Sequence, residues 1–350
     1  MHYLIFGAGA VGSFLGGRLA LSGHQSTFLA RSRVASAFRT HGLRMTDGRS
    51  HELLPIPDVI DNPQQAFSPT PPDVIFLTVK TYDVETAAKQ ILEFSPCPIP
   101  VFCFTNGIGS EATLSELLKG FPIIPATLTS AVQLTSDGIV QVERERGVGI
   151  ADAHPIAHRV LSDLIEADMT VRKYGNANRM KWSKLLTNIV SNASSAILGW
   201  PPARIFQHPG LYRIEVEALR EAVRLMRAKG IRPQNLPGVP TALLSLGIFL
   251  PTWMTQKILG RIVSRGRGDK LPSFHYDIGR GQSEIHHLNG AVVKAGEEIG
   301  LPTPANRFLT ETMLTIVKDA SKHKALQNHP DEFLKLAIKA GVPEIQGYNP

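Results

Sequence analysis

Through the first half of the chain, short runs of β-branched and aromatic residues alternate with stretches of helical period. Tyr3-Leu-Ile-Phe6 reads as a first strand, followed by the glycine-rich segment Gly7-Ala-Gly-Ala-Val-Gly12 and a helix to about Ser22. Residues 26–30 read as a second strand, and Asp73-Val-Ile-Phe-Leu-Thr-Val79 as a fully buried one. A helix over 84–94 and a strand over 99–104 follow, the strand ending at Thr105-Asn-Gly-Ile-Gly109. This alternation predicts a parallel α/β sheet. Asp47-Gly48 and Asp137-Gly138, each set between apolar runs, predict hairpins. The proline-rich stretch 63–72 reads as a surface loop, because the sheet pattern resumes beyond it.

Beyond about Tyr174 the strand pattern gives way to helical periods over roughly 178–198, 209–229, 241–264, 272–299, 305–322 and 330–340. Glycine and proline punctuate them at Gly199-Trp-Pro-Pro202, 230–240, 265–272 and Gly300-Leu-Pro-Thr-Pro304. The pattern predicts an α/β domain over 1–175 and an all-α domain over 176–350. In the helical half, Lys184, Asn188 and Asn192 stand four residues apart. Each such step turns only about 40° around an α-helix, so the three are expected on one side. A lysine and two carboxamides make poor core, since each needs a partner once buried. They suit a small anionic substrate with a carbonyl or hydroxyl group, and a solvated helix face is the alternative.

At 350 residues the chain is long enough for two domains with full cores, and its 43% hydrophobic content fits a globular protein. The net charge of +7 comes without a long basic run or aromatic platforms, which favours small anions over nucleic acid or membrane as partners. The two cysteines, Cys97 and Cys103, read as buried thiols without a disulfide framework, in keeping with a reducing, cytoplasmic compartment. A strand begins almost at once, so no signal peptide is expected. The most apolar window, 242–253, is too short to span a bilayer and is cut by Pro251. It reads as a core or subunit-contact helix, which makes a homodimer through the helical domain plausible.

A GxGxxG pattern alone is a weak signal, but here it follows a strand and opens a helix, the context it needs. Gly7 permits the tight turn, Gly9 lets backbone approach a pyrophosphate, and Gly12 allows close helix–strand packing. Gly7, Ala8, Gly9, Ala10, Val11 and Gly12 are therefore candidate cofactor residues of a Rossmann-type domain, with the helix N-terminus facing the phosphates. Where NAD-binding chains carry an acid for the ribose 2′-OH, this one has Leu29-Ala-Arg31-Ser-Arg33. A guanidinium binds a 2′-phosphate that a carboxylate would repel. Arg31, with Lys80 at another strand end, points to NADP(H).

With these motifs in hand the chain resembles the 2-dehydropantoate 2-reductases, or ketopantoate reductases. The likeness runs through Gly7-Ala-Gly-Ala-Val-Gly12, Leu77-Thr-Val-Lys80, Asn106-Gly-Ile-Gly109, Lys184-x3-Asn188-x3-Asn192 and Gly279-Arg-Gly-Gln-Ser-Glu284-Ile-His-His-Leu-Asn-Gly290. It implies a Rossmann domain and a helical domain with the substrate in the cleft between them, and reduction of 2-dehydropantoate to (R)-pantoate in pantothenate biosynthesis. The resemblance makes Lys184 the general acid and Glu284 the carboxylate that holds the substrate hydroxyl. Asn188 and Asn192 become substrate ligands, and Ser273 matches a serine at the substrate carboxylate. Asn106 and Glu284 would also lie near the nicotinamide, although a structural Asn-Gly turn competes for Asn106. Catalysis of this kind needs no metal, so His154, His158, His286 and His287 read as ordinary surface or interface histidines.

The chain departs from the family pattern at several points. His286 and His287 stand where an acid often follows the Glu-Ile pair, Lys270 replaces a frequent asparagine, and Pro202 replaces a polar residue. These leave a paralogous reductase of another 2-oxo acid or ketone open, and beside it a non-catalytic NADP(H)-binding protein.

Overall fold

The structure is a computed structural model that describes residues 1–256, 259–260 and 272–345. The chain forms two compact units, one of Met1–Thr105, Gly109–Lys181 and Leu236–Val239, the other of Asn106–Ile108, Trp182–Asn235 and the chain from Pro240 onward. Twelve strands are present among the described residues: β1 (His2–Phe6), β2 (Gln25–Leu29), β3 (Leu43–Thr46), β4 (His51–Leu54), β5 (Asp58–Ile60), β6 (Val74–Leu77), β7 (Val101–Cys103), β8 (Ile123–Leu128), β9 (Ala131–Leu134), β10 (Ile139–Arg144), β11 (Val148–Ala151) and β12 (Val171–Tyr174).

Eight strands of the first unit lie in the order β12-β11-β8-β7-β6-β1-β2-β5. From β8 to β5 every neighbouring pair is parallel, which is the doubly wound arrangement of dinucleotide-binding sheets. Such strands are covered on both faces. In β1, Tyr3 and Ile5 enter one hydrophobic cluster and Leu4 and Phe6 the other, none more than 4% exposed. The strand order reverses between β1 and β6, and this is the switch point at which ligands of such sheets bind.

Two features go beyond the expected parallel sheet. β11 runs antiparallel to β8, and a second sheet has the order β4-β3-β10-β9. Both predicted Asp-Gly hairpins belong to this second sheet, joining β3 to β4 and β9 to β10.

Among its described residues the second unit is helical. Helices span Ala177–Ile189 (entering from the first unit), Asn192–Leu198, Pro202–Gln207, Pro209–Ala228, Thr241–Gly247, Asn289–Glu297, Pro304–Lys318, Ala320–Lys324 and Pro330–Lys339. Its core gathers buried residues from most of them, including Leu186, Leu219, Val292, Leu309 and Phe333. Several helices are shorter than their periodicity predicted. The expected 178–198 helix is interrupted by Ser191, whose φ of 54° is left-handed. The expected 272–299 helix is instead two 3-10 turns, Ser273–Asp277 and Glu284–His287, before Asn289–Glu297. Gly279 and Gly281, at φ 70° and 75°, carry the chain between the turns. The expected 241–264 helix stops at Gly247, and the chain is helical again over 252–256, just after Pro251. Lys270 lies outside the described residues. No helix among those described is long and apolar enough to cross a membrane.

The long helix Pro209–Ala228 buries three glutamates, Glu215, Glu217 and Glu221, each at most 3% exposed. Glu221 accepts hydrogen bonds from the backbone N–H groups of Ala305 (2.7 Å) and Asn306 (2.9 Å) and from Asn306 Nδ2 (2.7 Å). It thereby caps helix Pro304–Lys318 from outside that helix. Burial pushes its carboxyl up to about 7 despite these donors. A folded-state value above the ordinary carboxyl range means that protonation favours the folded chain, so this contribution is complete at acid pH and is lost as pH rises through about 7. Raising the pH from about 6 to about 8 should therefore cost the wild type on the order of 1 kcal/mol more than Glu221→Gln. Denaturant unfolding of both proteins at both pH values checks this, and parallel losses would contradict it.

Candidate active site

The glycine segment joins β1 to helix Ala10–Leu21 at the switch point. Gly7 has φ 104°, and its N–H, like that of Ala8, bonds the Leu29 carbonyl of β2. A Cβ on Gly12 would lie 2.5 Å from the Gly7 carbonyl and from Thr78 Oγ1, and 2.8 Å from Ile5 Cγ2, so only glycine lets the helix sit this close. A Cβ on Gly9 would meet nothing within 4 Å, so the backbone there faces open space. Gly9 is the N-cap and offers no side-chain cap, and the first helical bond runs from Ser13 N to Gly9 O. The N–H groups of Ala10, Val11 and Gly12 therefore have no acceptor within the helix. Three donors at a positive dipole end, beside open space, form a cradle that fits a pyrophosphate.

Arg31 follows β2 and Lys80 follows β6, the two strands that flank β1. The Arg31 side chain is 83% exposed, and its Nη2 donates to Asp83 Oδ2 at 2.8 Å. Lys80 is half-buried at the start of the 3-10 turn Thr81–Asp83. Asp83 was not among the residues the sequence reading selected.

In the helical unit, Lys184 and Asn188 lie one turn apart on helix Ala177–Ile189, both half-buried. The inward residues Leu185, Leu186 and Ile189 are at most 1% exposed and anchor the helix. Asn188 Nδ2 donates to Asn106 Oδ1 at 3.1 Å. The segment that carries Asn106 also docks on the turn that carries Glu284, since Ile108 N donates to the His287 carbonyl at 2.9 Å. His287 Nδ1 is 3.2 Å from the Ile108 carbonyl oxygen. Gly107, at φ 83°, permits this approach, because a Cβ there would lie 2.3 Å from the His287 oxygen. Asn106-Gly107 makes the turn of the structural reading, and that turn brings Asn106 to Asn188. Residues 106–108 thus tie the Lys184 helix to the Glu284 turn. Glu284 itself is only 4% exposed, far from the solvent-facing glutamate that a helix position alone would suggest.

Lys184, Asn188 and Asn192 do not lie on one continuous helix. Helix Ala177–Ile189 ends before Asn192, which opens the next helix and is 8% exposed. The cause is tertiary. Glu215 accepts the Ser191 N–H at 2.6 Å and the Ser194 hydroxyl at 2.5 Å, so a buried carboxylate replaces the helical partners that Ser191 gives up. Asn192 Oδ1 is buried with no hydrogen-bond partner among the described residues. Ser273 begins the first 3-10 turn, but its side chain lies outside the described residues.

Lys181, one turn before Lys184, went unrecognised because in sequence it resembles any helical lysine. It is 6% exposed, donates to the Thr105 carbonyl at 2.7 Å and pairs with Glu111 Oε1 at 2.7 Å. Burial alone would lower its pKa, but Glu111 and Cys103 reverse this and raise it above the ordinary lysine value. A charged lysine therefore holds the end of β7, immediately before Asn106.

The histidines expected at the surface differ in role. His154 Nδ1 accepts from Ile156 N at 3.3 Å and His158 pairs with Asp152, whereas His287 fixes residues 106–108. Cys103 is buried as expected, and burial pushes its thiol up to about 12. Cys97, by contrast, is exposed, since it falls in the loop after helix Val84–Phe94 rather than on a strand.

The chain matches the family model described as ketopantoate reductase PanE/ApbA over residues 3–154 and its C-terminal counterpart over 176–316. It is 28% identical to 2-dehydropantoate 2-reductase of Archaeoglobus fulgidus over 322 residues, covering 90% of this chain and 96% of that protein. It is 28% identical to the enzyme of the same name from Pyrococcus horikoshii over 318 residues, covering 88% and 95%. A crystal structure of a PanE/ApbA family ketopantoate reductase from Ralstonia eutropha JMP134 superposes with TM-score 0.77 at 25% identity, covering 93% of this chain and 100% of that one. D-mandelate dehydrogenase with NADH and anilino(oxo)acetate shares the fold, at TM-score 0.75 and 19% identity over 93% of this chain and 99% of that one.

The Lys181–Glu111 pair makes a stability prediction. Lys181→Met strands a carboxylate and should cost about 3–5 kcal/mol, whereas Lys181→Met with Glu111→Leu should recover most of it. Chemical denaturation of the single and double variants measures the coupling, and additive losses would refute the pairing.

Proposed function

Because the chain belongs to the ketopantoate reductase family, we propose that this oxidoreductase reduces 2-dehydropantoate to (R)-pantoate with NADPH, Lys184 serving as general acid. The observation that carries the assignment is the segment Asn106–Ile108, bonded to Asn188 on one side and to the Glu284–His287 turn on the other. It ties together, within one unit, four polar groups of the kind a keto acid requires. A bound reduced nicotinamide supplies the hydride. The cradle at Ala10, Val11 and Gly12 fits its pyrophosphate, and Arg31 and Lys80 fit the 2′-phosphate.

In this reading the Lys184 ammonium stabilises the alkoxide that grows at C2 and delivers a proton to that oxygen. Glu284 accepts a hydrogen bond from the substrate hydroxyl and fixes the carbonyl against Lys184. Asn188 is oriented by Asn106. The buried Oδ1 of Asn192, without a partner among the described residues, accepts from a substrate hydroxyl, a partner whose absence would cost about 1–3 kcal/mol. Ser273 and Asn106 complete the substrate and nicotinamide contacts. A different 2-oxo acid is the second reading, favoured by His286 and His287 in place of an acid after Glu284-Ile285.

The helical unit also presents Leu243, Leu246, Leu250 and Trp253 to solvent, at 68%, 64%, 46% and 71% exposure. We assign these exposed apolar residues to an interface with a second copy of the chain, since exposed apolar patches mark interfaces.

Lys184→Ala should lower kcat by about 10²–10⁴-fold while leaving NADPH affinity within a few-fold. Glu284→Gln should raise KM and lower kcat together. Steady-state assays over a panel of 2-oxo acids with NADPH test both variants and the substrate, and near-wild-type rates in both would end the assignment. Sedimentation velocity should show a dimer that Leu246→Glu with Trp253→Glu converts to monomer, and a monomeric wild type at tens of micromolar would reject the interface.

A further inference from the structure

We propose that Asp83 is a cofactor-specificity residue, which pairs with Arg31 and opposes a 2′-phosphate seated there. The inference rests on the reading that the glycine cradle binds a nicotinamide dinucleotide. Chains that bind NAD place an acid at the end of the second strand, where this chain has Ala30, Arg31 and Ser32. The structure brings a carboxylate to the Arg31 guanidinium from elsewhere in the chain. β2 and β6 both lie beside β1 and run parallel to it, so the segments after their carboxyl ends flank the glycine loop. Across that gap Asp83 Oδ2 meets Arg31 Nη2 at 2.8 Å.

The local geometry explains how Asp83 is free to do this. It is the N-cap of helix Val84–Phe94, a position where aspartate usually bonds the first-turn N–H groups. Here the preceding 3-10 turn runs straight into the helix and leaves Asp83 at φ −95°, ψ −3°, and its side chain makes no capping bond. The carboxylate is directed to Arg31 instead.

An exposed ion pair of this kind is weak and is screened by salt, so a 2′-phosphate can displace Asp83 from the guanidinium. Once displaced, the carboxylate stays within a few ångströms of a group carrying nearly two negative charges. With NADH the same carboxylate has no phosphate to oppose and can accept from the free ribose hydroxyls. Asp83 therefore narrows the preference for NADPH that Arg31 creates.

The test is calorimetric titration of the full chain with NADPH, NADH, 2′,5′-ADP and 5′-AMP, for wild type, Asp83→Asn and Asp83→Ser. Both variants should bind NADPH and 2′,5′-ADP about tenfold more tightly, the scale of a screened surface repulsion. Neither should gain affinity for NADH or 5′-AMP. The gain should shrink in an Arg31→Ala background, where the phosphate has lost its partner. Variants that bind both dinucleotides with the wild-type ratio overturn the role of Asp83 and leave the cofactor reading intact. A wild type that binds neither dinucleotide overturns the cofactor reading, and this proposal with it.

Discussion

Every helix begins with N–H groups that its own carbonyls do not reach, and this molecule answers that constraint in two opposite ways. In the helical unit, carboxylates buried on helix Pro209–Ala228 fill the gap: Glu215 takes the N–H of Ser191, and Glu221 those of Ala305 and Asn306. The two glutamates thereby set where helices Asn192–Leu198 and Pro304–Lys318 begin. In the sheet unit, helix Ala10–Leu21 starts on Gly9 with no cap and with open space beside it. The same unmet donors that a glutamate closes off in one unit remain available to an anion in the other.

The placement of the proposed substrate residues depends on how these anchors hold short pieces of chain. Glu215 stabilises a left-handed Ser191, and that residue separates helix Ala177–Ile189, which carries Lys184 and Asn188, from the helix that Asn192 opens. Lys181, paired with Glu111, donates to the Thr105 carbonyl, so the three residues after Thr105 start from a fixed point. Those residues dock through Gly107 onto the His287 carbonyl. A lysine, two asparagines and a glutamate distant in sequence are thus arranged mainly by backbone hydrogen bonds.

Much of the first unit was legible because its signals are local. A strand, a GxGxxG turn and a helix are contiguous, and the steric need for glycine at Gly12 follows from a packing distance within that motif. Asp-Gly pairs mark hairpins for the same reason, as the turn conformation is chosen by two adjacent residues. The second sheet was less legible, since its β3–β10 pairing joins strands almost a hundred residues apart. The helical unit was read correctly as helical and incorrectly in its lengths. Periodicity sees the apolar face continue through Ser191 and Gly279, but it cannot see the buried acceptor or the end of helix Pro304–Lys318 that makes a break favourable.

Residue chemistry drew the same division. The sequence by itself determined which groups are available: the uncapped glycine turn, Arg31 without an acid beside it, Lys184 a turn from Asn188, and Glu284 within its motif. Helix and strand spacing convert those facts directly into faces and termini, because a few covalent steps fix the geometry. Only the tertiary structure decided which charges are paired and which polar atoms are left alone. Asp83 reaches Arg31 from the turn that follows β6, Lys181 is buried against Glu111, and Asn192 Oδ1 is left without a partner among the described residues. Pairing and desolvation depend on distances between residues far apart in the chain, and no local rule encodes them.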